Sequence, residues 1–265
     1  MMKPTSTPMR SRYNIEALER GLDILALFTS DTPSLSLTQI VEILNINKST
    51  AYRVLSTLEG LNYLERDPIT RLYRPGLKVL QLGFTAISNL DVREVAHPFL
   101  VKLSQDLGET VSLAVLDGVY TVYVDRVRNQ AIVGVVLGVG SRLPAHCSSL
   151  GKVLLSDLPT DELERRLAQA ELTSFAPNTI SSQQDLISEL SKVREQGYAI
   201  GDEELAVGLR AAAAPIRDIN HRIVAAINAT GATINIGYER LNNEIIPALI
   251  ETAHQISITL GYTPN

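Results

Sequence analysis

Residues 14–75 carry, in order, an amphipathic helix, a short second helix, an Asn-rich turn, a third helix and a hairpin, and few folds accommodate that order. Asn14 opens the first helix, where Ile15, Leu18, Leu22, Leu25 and Phe28 recur at three and four and predict one buried stripe to about Thr29. Pro33 breaks the chain, and Ser36 opens the second helix with Leu37, Ile40, Val41 and Leu44 inward. Asn45-Ile46-Asn47 supplies a tight turn, since Asn tolerates the left-handed region. The third helix runs from about Lys48 to Gly60, with Ala51, Val54, Leu55 and Leu58 as its buried stripe. Tyr63 to Arg66, Asp67-Pro68-Ile69-Thr70 and Arg71 to Arg74 then read as strand, turn and strand.

The outward face of the third helix carries Ser49, Tyr52, Arg53 and Ser56, flanked by Thr50 and Thr57, and no acid. Hydroxyls, a phenol and a guanidinium are the groups that reach base edges and phosphates when a helix enters a major groove. A hairpin directly after such a helix is a wing, which brings Arg71 and Arg74 near the flanking backbone. A three-helix domain with a merely solvated polar face is the plain alternative. The ordered set is more specific than any one part and favours double-stranded DNA as partner.

Composition sets limits on the rest. The chain has 265 residues, long enough for two domains, and a net charge of −5. Residues 1–75 hold nine Lys/Arg against eight Asp/Glu, so the excess acid lies in the remainder. DNA affinity depends on which charges face phosphate, not on the total. No apolar run approaches a membrane span, and residues 1–12 read as a frayed polar tail rather than a signal peptide. The single cysteine, Cys147, excludes an internal disulfide and suits a reducing cytoplasm.

After Pro75-Gly76, Leu77, Leu80, Leu82 and Phe84 predict a connecting helix ending near Asn89. Asp91 caps another to about Leu107, with Val95, Phe99, Leu100 and Leu103 inward. The period then changes: Val111 to Leu116 and Val119 to Val127 form a hairpin turning at Asp117-Gly118, and Ala131 to Leu137 gives a third strand. Helices are expected near Leu150–Ser156, Asp161–Ala170, Gln183–Gln196 and Glu244–Leu260, and strands at Ala211–Ile216 and Ile223–Thr230. The fold class is therefore α+β: a winged helix-turn-helix, a linker helix, and an antiparallel sheet with flanking helices.

Candidate chemistry concentrates around Arg142 to Lys152. His146 and Cys147 are adjacent, and in extended chain they point apart, which argues against a nucleophile pair. Gly151-Lys152 does not complete a phosphate loop. Ser148 and Ser149 precede a helix whose free N–H groups favour an anion such as a carboxylate, although simple capping explains them too. Asn228 and Thr230 are polar residues in an otherwise apolar strand, and either a ligand or a sheet-internal hydrogen bond accounts for them. Gly201-Asp202-Glu203-Glu204 lacks helical spacing and histidines, so it reads as a solvated loop rather than a metal site. Gly134, Gly138 and Gly140 open no helix and make no dinucleotide fingerprint. No metal, cofactor or catalytic residue is expected.

Several stretches in this order resemble the IclR family of bacterial regulators: Leu18 to Leu25, Asn47 to Leu64, Tyr73 to Leu77, Ser149 to Lys152, Gly197 to Glu204, Gly208 to Arg210 and Ala213 to Asp218. The resemblance covers nearly the whole chain. It implies a winged helix-turn-helix, a linker helix and a GAF-like effector domain, in dimers or dimers of dimers on palindromic operators. It carries over effector-pocket positions to Ile132, Val135, Ser149, Leu150, Gly201, Ala211, Asn228 and Thr230, beside Ser148. Family members carry an acid and a cysteine where this sequence has Gly201 and Ala211, and Asn228-Ala229-Thr230-Gly231-Ala232 replaces a common Ser-Gly-Pro. Both departures argue against a glyoxylate- or pyruvate-like effector. The wording Leu143 to Gly151 and Asp202 to Arg210 is similar to the subgroup controlling aromatic-acid catabolism, whose effectors are protocatechuate, hydroxybenzoate or β-ketoadipate.

The expectation is a DNA-binding transcriptional regulator controlled by a small, aromatic organic acid, without enzymatic activity. Lys48, Ser49, Thr50, Tyr52, Arg53 and Arg71 are its DNA-contacting residues. The expected domains are a tail (1–12), the winged helix-turn-helix (13–75), the linker (76–90) and the effector domain (91–265). A ligand-binding enzyme that uses the helix-turn-helix for dimerisation, and a protein-interaction module, are the alternatives.

Overall fold

The computed structural model describes residues 15–29, 32–88, 91–129 and 137–264. The chain divides into two compact units, residues 1–86 and 87–265. The expected tail, the capping Asn14 and the expected strand from Ala131 through residue 136 lie outside the described residues.

The first unit holds α1 (Glu16–Ala26), α2 (Leu37–Leu44), α3 (Lys48–Gly60), β1 (Leu64–Arg66) and β2 (Tyr73–Pro75), and α4 (Leu77–Ser88) begins in it. Its elements start where local chemistry directs. The Ser36 hydroxyl accepts from Gln39 N–H while the Gln39 side chain accepts from Ser36 N–H, a closed capping box on α2. Asn45 sits at φ 50° and ends α2, and Asn47 Oδ1 accepts from Thr50 N–H at 2.8 Å to cap α3. Leu35 and Tyr73 exchange two backbone hydrogen bonds, tying the hairpin to the chain before α2. Ile24, Leu35, Ile40, Leu55, Leu64 and Tyr73 form the core.

The buried face of α1 differs from expectation. Ile15, Leu18 and Leu22 are 66%, 59% and 58% exposed, while Gly21 and Ile24 are buried and Leu25 and Phe28 half-buried. The buried stripe still repeats at three and four, but it starts from Gly21. A Cβ there would lie 3.9 Å from Val54, an ordinary contact, so Gly21 sits on the face turned toward α3.

The second unit is built on a six-stranded antiparallel sheet ordered β5-β4-β3-β8-β7-β6. Its strands are β3 (Thr110–Asp117), β4 (Tyr120–Val127), β5 (Arg142–Pro144), β6 (Ala199–Asp202), β7 (Leu209–Arg217) and β8 (Ile223–Ala232). The helices are α5 (Asp91–Leu107), α6 (Ser149–Ser156), α7 (Thr160–Leu167), α8 (Gln183–Gln196), α9 (Tyr238–Arg240) and α10 (Ile246–Thr259). A π-helical turn, Leu241–Ile245, joins the last two, so the closing helical stretch starts earlier than Glu244.

Alternation sorts the two faces. Leu113, Ala212, Ala214, Ala225 and Ile227 pack with α5 and α10, whereas Ala114, Ala213 and Ala226 pack beneath Leu150, Val153 and Leu154 of α6. Small residues in the strands let both helical layers come close.

Several boundaries shift from expectation for identifiable reasons. Asp117 pairs with Tyr120, so the two turn residues are Gly118 and Val119. Positive φ falls on Gly118, the first of the two, as a II′ turn requires. β5 and β6 were not anticipated: both are short edge strands containing Pro, Gly or Asp, which weaken the strand signal. Gly201 and Asp202 therefore belong to β6, not to a loop.

Candidate functional sites

On the α6 face of the sheet lies a recess lined by Tyr123, Arg126, Leu137, Cys147, Ser148, Ser149, Gly201, Glu204, Leu205, Leu209, Ala211, Asn228 and Thr230. Its floor follows from register. Arg126 on β4, Ser112 on β3, Asn228 on β8 and Ala213 on β7 form one cross-strand row; Thr230, Ala211 and Gly201 form part of the next. Its roof is the start of α6, where Ser148 accepts from Gly151 N–H at 3.1 Å as the cap. A Cβ on Gly201 would lie 3.3 Å from Ser149 N, so this glycine sets how closely α6 approaches the sheet.

Among the described residues, the buried side-chain polar atoms without a hydrogen-bond partner are Ser112 Oγ, Arg126 Nε, Ser149 Oγ, Glu204 Oε2 and Asn228 Oδ1. Four of these five residues line the recess, and Ser112 stands in register between Arg126 and Asn228. Burial pulls the Arg126 guanidinium below its ordinary value, and the neighbouring Tyr123 opposes that shift. Asn228 Nδ2 donates to Thr230 Oγ1 at 2.8 Å, so part of the sheet-internal alternative is realised.

Of the expected pocket residues, Ser148, Ser149, Gly201, Ala211, Asn228 and Thr230 come together here. Ile132 and Val135 lie outside the described residues. The Leu150 side chain is fully buried in the layer between α6 and the sheet and does not line the recess. Tyr123, Arg126 and Glu204 were missed.

Glu204 also corrects the solvated-loop reading. It is 7% exposed and bonds through Oε1 to Nζ of Lys152, itself 1% exposed, at 2.6 Å. Burial raises the Glu204 carboxyl above its ordinary value, and Lys152 partly offsets this.

Residues 145–147 form a turn of 3-10 helix rather than extended chain, but His146 and Cys147 still do not pair. His146 Nε2 lies 3.0 Å from the Thr173 carbonyl, and the Cys147 thiol donates to the Pro144 carbonyl at 3.2 Å. Burial pushes that thiol up to about 12. No cluster of three metal-binding side chains occurs among the described residues, and none of their helices is long and apolar enough to cross a membrane.

In the first unit, Lys48, Ser49, Tyr52 and Arg53 of α3 are exposed and Thr50 is half-buried. The Ser49 hydroxyl donates to Asn47 Oδ1 at 2.9 Å. In the hairpin, Asp67 Oδ1 accepts from Thr70 N–H at 2.7 Å and Ile69 N–H at 2.9 Å. These bonds, with Thr70 foremost, hold its carboxyl below the ordinary value despite slight desolvation. The turn leaves Arg71 exposed at φ 61°. Arg74 is instead paired with Glu65 at 2.9 Å, and Arg66 covers the Tyr73 ring.

Two family profiles match the chain: the IclR helix-turn-helix domain over residues 17–68, and the bacterial transcriptional regulator IclR C-terminal domain over residues 84–258. The chain belongs to the IclR family. The HTH-type transcriptional regulator XynR of Escherichia coli K12 is 33% identical over 248 residues, covering 94% of this chain and 98% of that one. The repressor AllR of the same strain is 34% identical over 261 residues, 98% and 95% of the two chains. The crystal structure of an IclR homolog from Microbacterium hydrocarbonoxydans, complexed with 4-hydroxybenzoate, superposes with a TM-score of 0.78 at 26% identity, covering 92% of this chain and 99% of that one. As an IclR-family member the protein is a DNA-binding transcriptional regulator, not an enzyme, with an effector-binding C-terminal domain.

Proposed function

We propose that this IclR regulator responds to a small organic acid bound in the α6 recess, with the carboxylate at Arg126. The observation that carries this reading is the gathering of unpartnered buried polar atoms at one place. Buried polar groups are normally satisfied, and a ligand supplies the partners that the fold withholds. The Arg126 guanidinium favours negative charge. Leu137, Leu205, Leu209 and Tyr123 supply apolar walls suited to a ring. The 4-hydroxybenzoate complex of the Microbacterium homolog supports an aromatic acid as effector.

The DNA contacts are then Lys48, Ser49, Thr50, Tyr52 and Arg53 in the major groove and Arg71 on the wing. The protein acts as a dimer or dimer of dimers on palindromic operators, in the cytoplasm, since two-fold proteins read two-fold sites. Its domains are 13–75 for DNA, 76–90 as linker and 91–265 for the effector.

Thermal unfolding against millimolar aromatic and short aliphatic acids tests the reading. An acid at about 100 times its dissociation constant adds roughly 2.7 kcal/mol and raises the midpoint. No shift with any acid removes the proposed ligand class and leaves the family assignment in place.

A further inference from the structure

The polar end of the recess opposite Arg126 is built from two residues that acid binding alone does not require. Lys152 and Glu204 are almost completely buried, and their pairing costs desolvation that an apolar pair avoids. Lys152 Nζ also donates to the Ile200 carbonyl and lies 3.5 Å from Glu189 Oε1. It therefore satisfies one of the two Glu204 carboxylate oxygens. The backbone beneath is equally constrained. Thr179 Oγ1 donates to the Glu204 carbonyl, and Gly208 N–H donates to the side chain of Glu203, which holds positive φ. Glu204 Oε2 is buried in a wall of the recess with no donor in hydrogen-bond geometry, although the Asp202 N–H lies near enough to favour the ionised carboxyl.

An unpartnered carboxylate oxygen in a nearly dry site is an acceptor waiting for a hydroxyl or amine. The ligand's carboxylate already supplies its charge at Arg126, and a hydroxyl at its other end completes this acceptor without the cost of burying an added cation. Arg126 stands on β4 and Glu204 directly follows β6, with β3, β8 and β7 between. Four strand intervals separate their backbones by roughly 19 Å, and the two side chains reach inward to shorten that span. A ligand held by both has its donor remote from its carboxylate.

We propose that Glu204 is a specificity-determining residue of the recess, its Oε2 accepting a hydrogen bond from a hydroxyl remote from the carboxylate that meets Arg126. This rests on the acid-binding reading above and adds a second pole to it.

Calorimetric titration of the full chain with benzoate, 2-hydroxybenzoate and 4-hydroxybenzoate separates the two claims. The wild type binds 4-hydroxybenzoate about tenfold or more tighter than benzoate, the increment of a charge-assisted hydrogen bond, and gains nothing like it from 2-hydroxybenzoate. The preference, taken as a ratio of dissociation constants on one variant, falls below about threefold in Glu204→Gln. It falls as far in the double variant Lys152→Met, Glu204→Leu, which exchanges the buried pair for apolar groups and so guards against a folding artefact. Equal wild-type affinity for benzoate and 4-hydroxybenzoate, or a preference that survives in the double variant, overturns the role of Glu204 and leaves the acid site standing. Failure of all three acids to bind overturns both.

Discussion

The guanidinium carbon of Arg126 lies 5.9 Å from the centre of the Tyr123 ring, although residues three apart on a regular strand face opposite ways. The register explains it. Leu113 pairs with Asp125 and Ala114 with Tyr123, so Val124 is an extra residue in β4. Such a bulge resets the alternation, and here it brings Arg126 onto the α6 face while Asp125 bonds to His97 of α5. The cation of the α6 recess is a consequence of one inserted residue.

Arg126→Met tests that placement. The variant keeps its melting temperature within about 5 °C of wild type, or raises it, because a desolvated cation is exchanged for an apolar chain of similar length. Its stabilisation by acids that shift the wild type disappears. A variant that still shifts with the same acids would move the carboxylate site elsewhere.

On the DNA side, Arg53→Ala weakens operator binding by about 1–3 kcal/mol and relaxes specificity at one base position, if the guanidinium reads a base. Arg71→Ala weakens binding evenly across sequences and lowers the salt slope by about 1, as a wing contact to phosphate does. Titrations with operator and scrambled duplexes at several salt concentrations distinguish them. Unchanged operator affinity of either variant takes that arginine off the interface.

Two glycines near the recess separate folding from function. A Cβ on Gly151 would lie 2.0 Å from the Ala145 carbonyl oxygen, a backbone atom that cannot move alone. Gly151→Ala therefore costs about 3 kcal/mol or more and lowers the melting temperature sharply. A Cβ on Gly201 meets Ser149 N at 3.3 Å, which a small shift of the α6 start relieves. Gly201→Ala costs about 1 kcal/mol or less in stability and narrows the recess. Parallel melting curves and acid titrations read both, and equal stability of the two variants contradicts the close approach at Gly151.

Cys147 gives a pH prediction. Only the thiolate alkylates, and burial pushes this thiol up to about 12. Native protein at pH 8 therefore reacts with iodoacetamide at least about a thousandfold more slowly than urea-unfolded protein, and the native rate climbs with pH while the fold persists. Rapid labelling near neutrality would mean that the Cys147 segment opens.

What the sequence made legible was chemistry acting over a few residues. Ser36 and Asn47 cap helices three or fewer residues away, so α2, α3 and the hairpin could be placed closely. On α1, Leu25 and Phe28 pack on the core as the periodicity implies, but its first turns expose Ile15, Leu18 and Leu22, and the buried stripe begins at Gly21, which has no side chain for hydropathy to register. In the recess, serines before a helix and polar residues in an apolar strand were visible as anomalies. Arg126 was hidden by the bulge that breaks its alternation. Glu204 was hidden because its neutralising partner, Lys152, comes 52 residues earlier. Bulges and buried ion pairs are set by partners distant in sequence, and no local pattern records them.

The bulge also has a back side. Arg93 Nε donates to the Val124 carbonyl at 3.1 Å, and His97 Nδ1 lies 2.7 Å from Asp125 Oδ2. Asp125 Oδ1 in turn accepts from Arg126 N–H at 2.8 Å. Both grips come from α5, which follows α4 after two residues and so continues the chain from the DNA-binding unit. Under the proposed binding mode, the bulge that carries Arg126 is also the point that α5 holds. The double variant Arg93→Ala, His97→Ala is expected to bind the acid within about threefold of wild type, while the acid-dependent change in operator affinity shrinks by about 0.5–2 kcal/mol. Linkage requires that operator DNA alter acid affinity by the same reduced factor, so calorimetry with and without DNA gives an independent reading. Wild-type coupling in both titrations would show that the signal leaves the recess by another route.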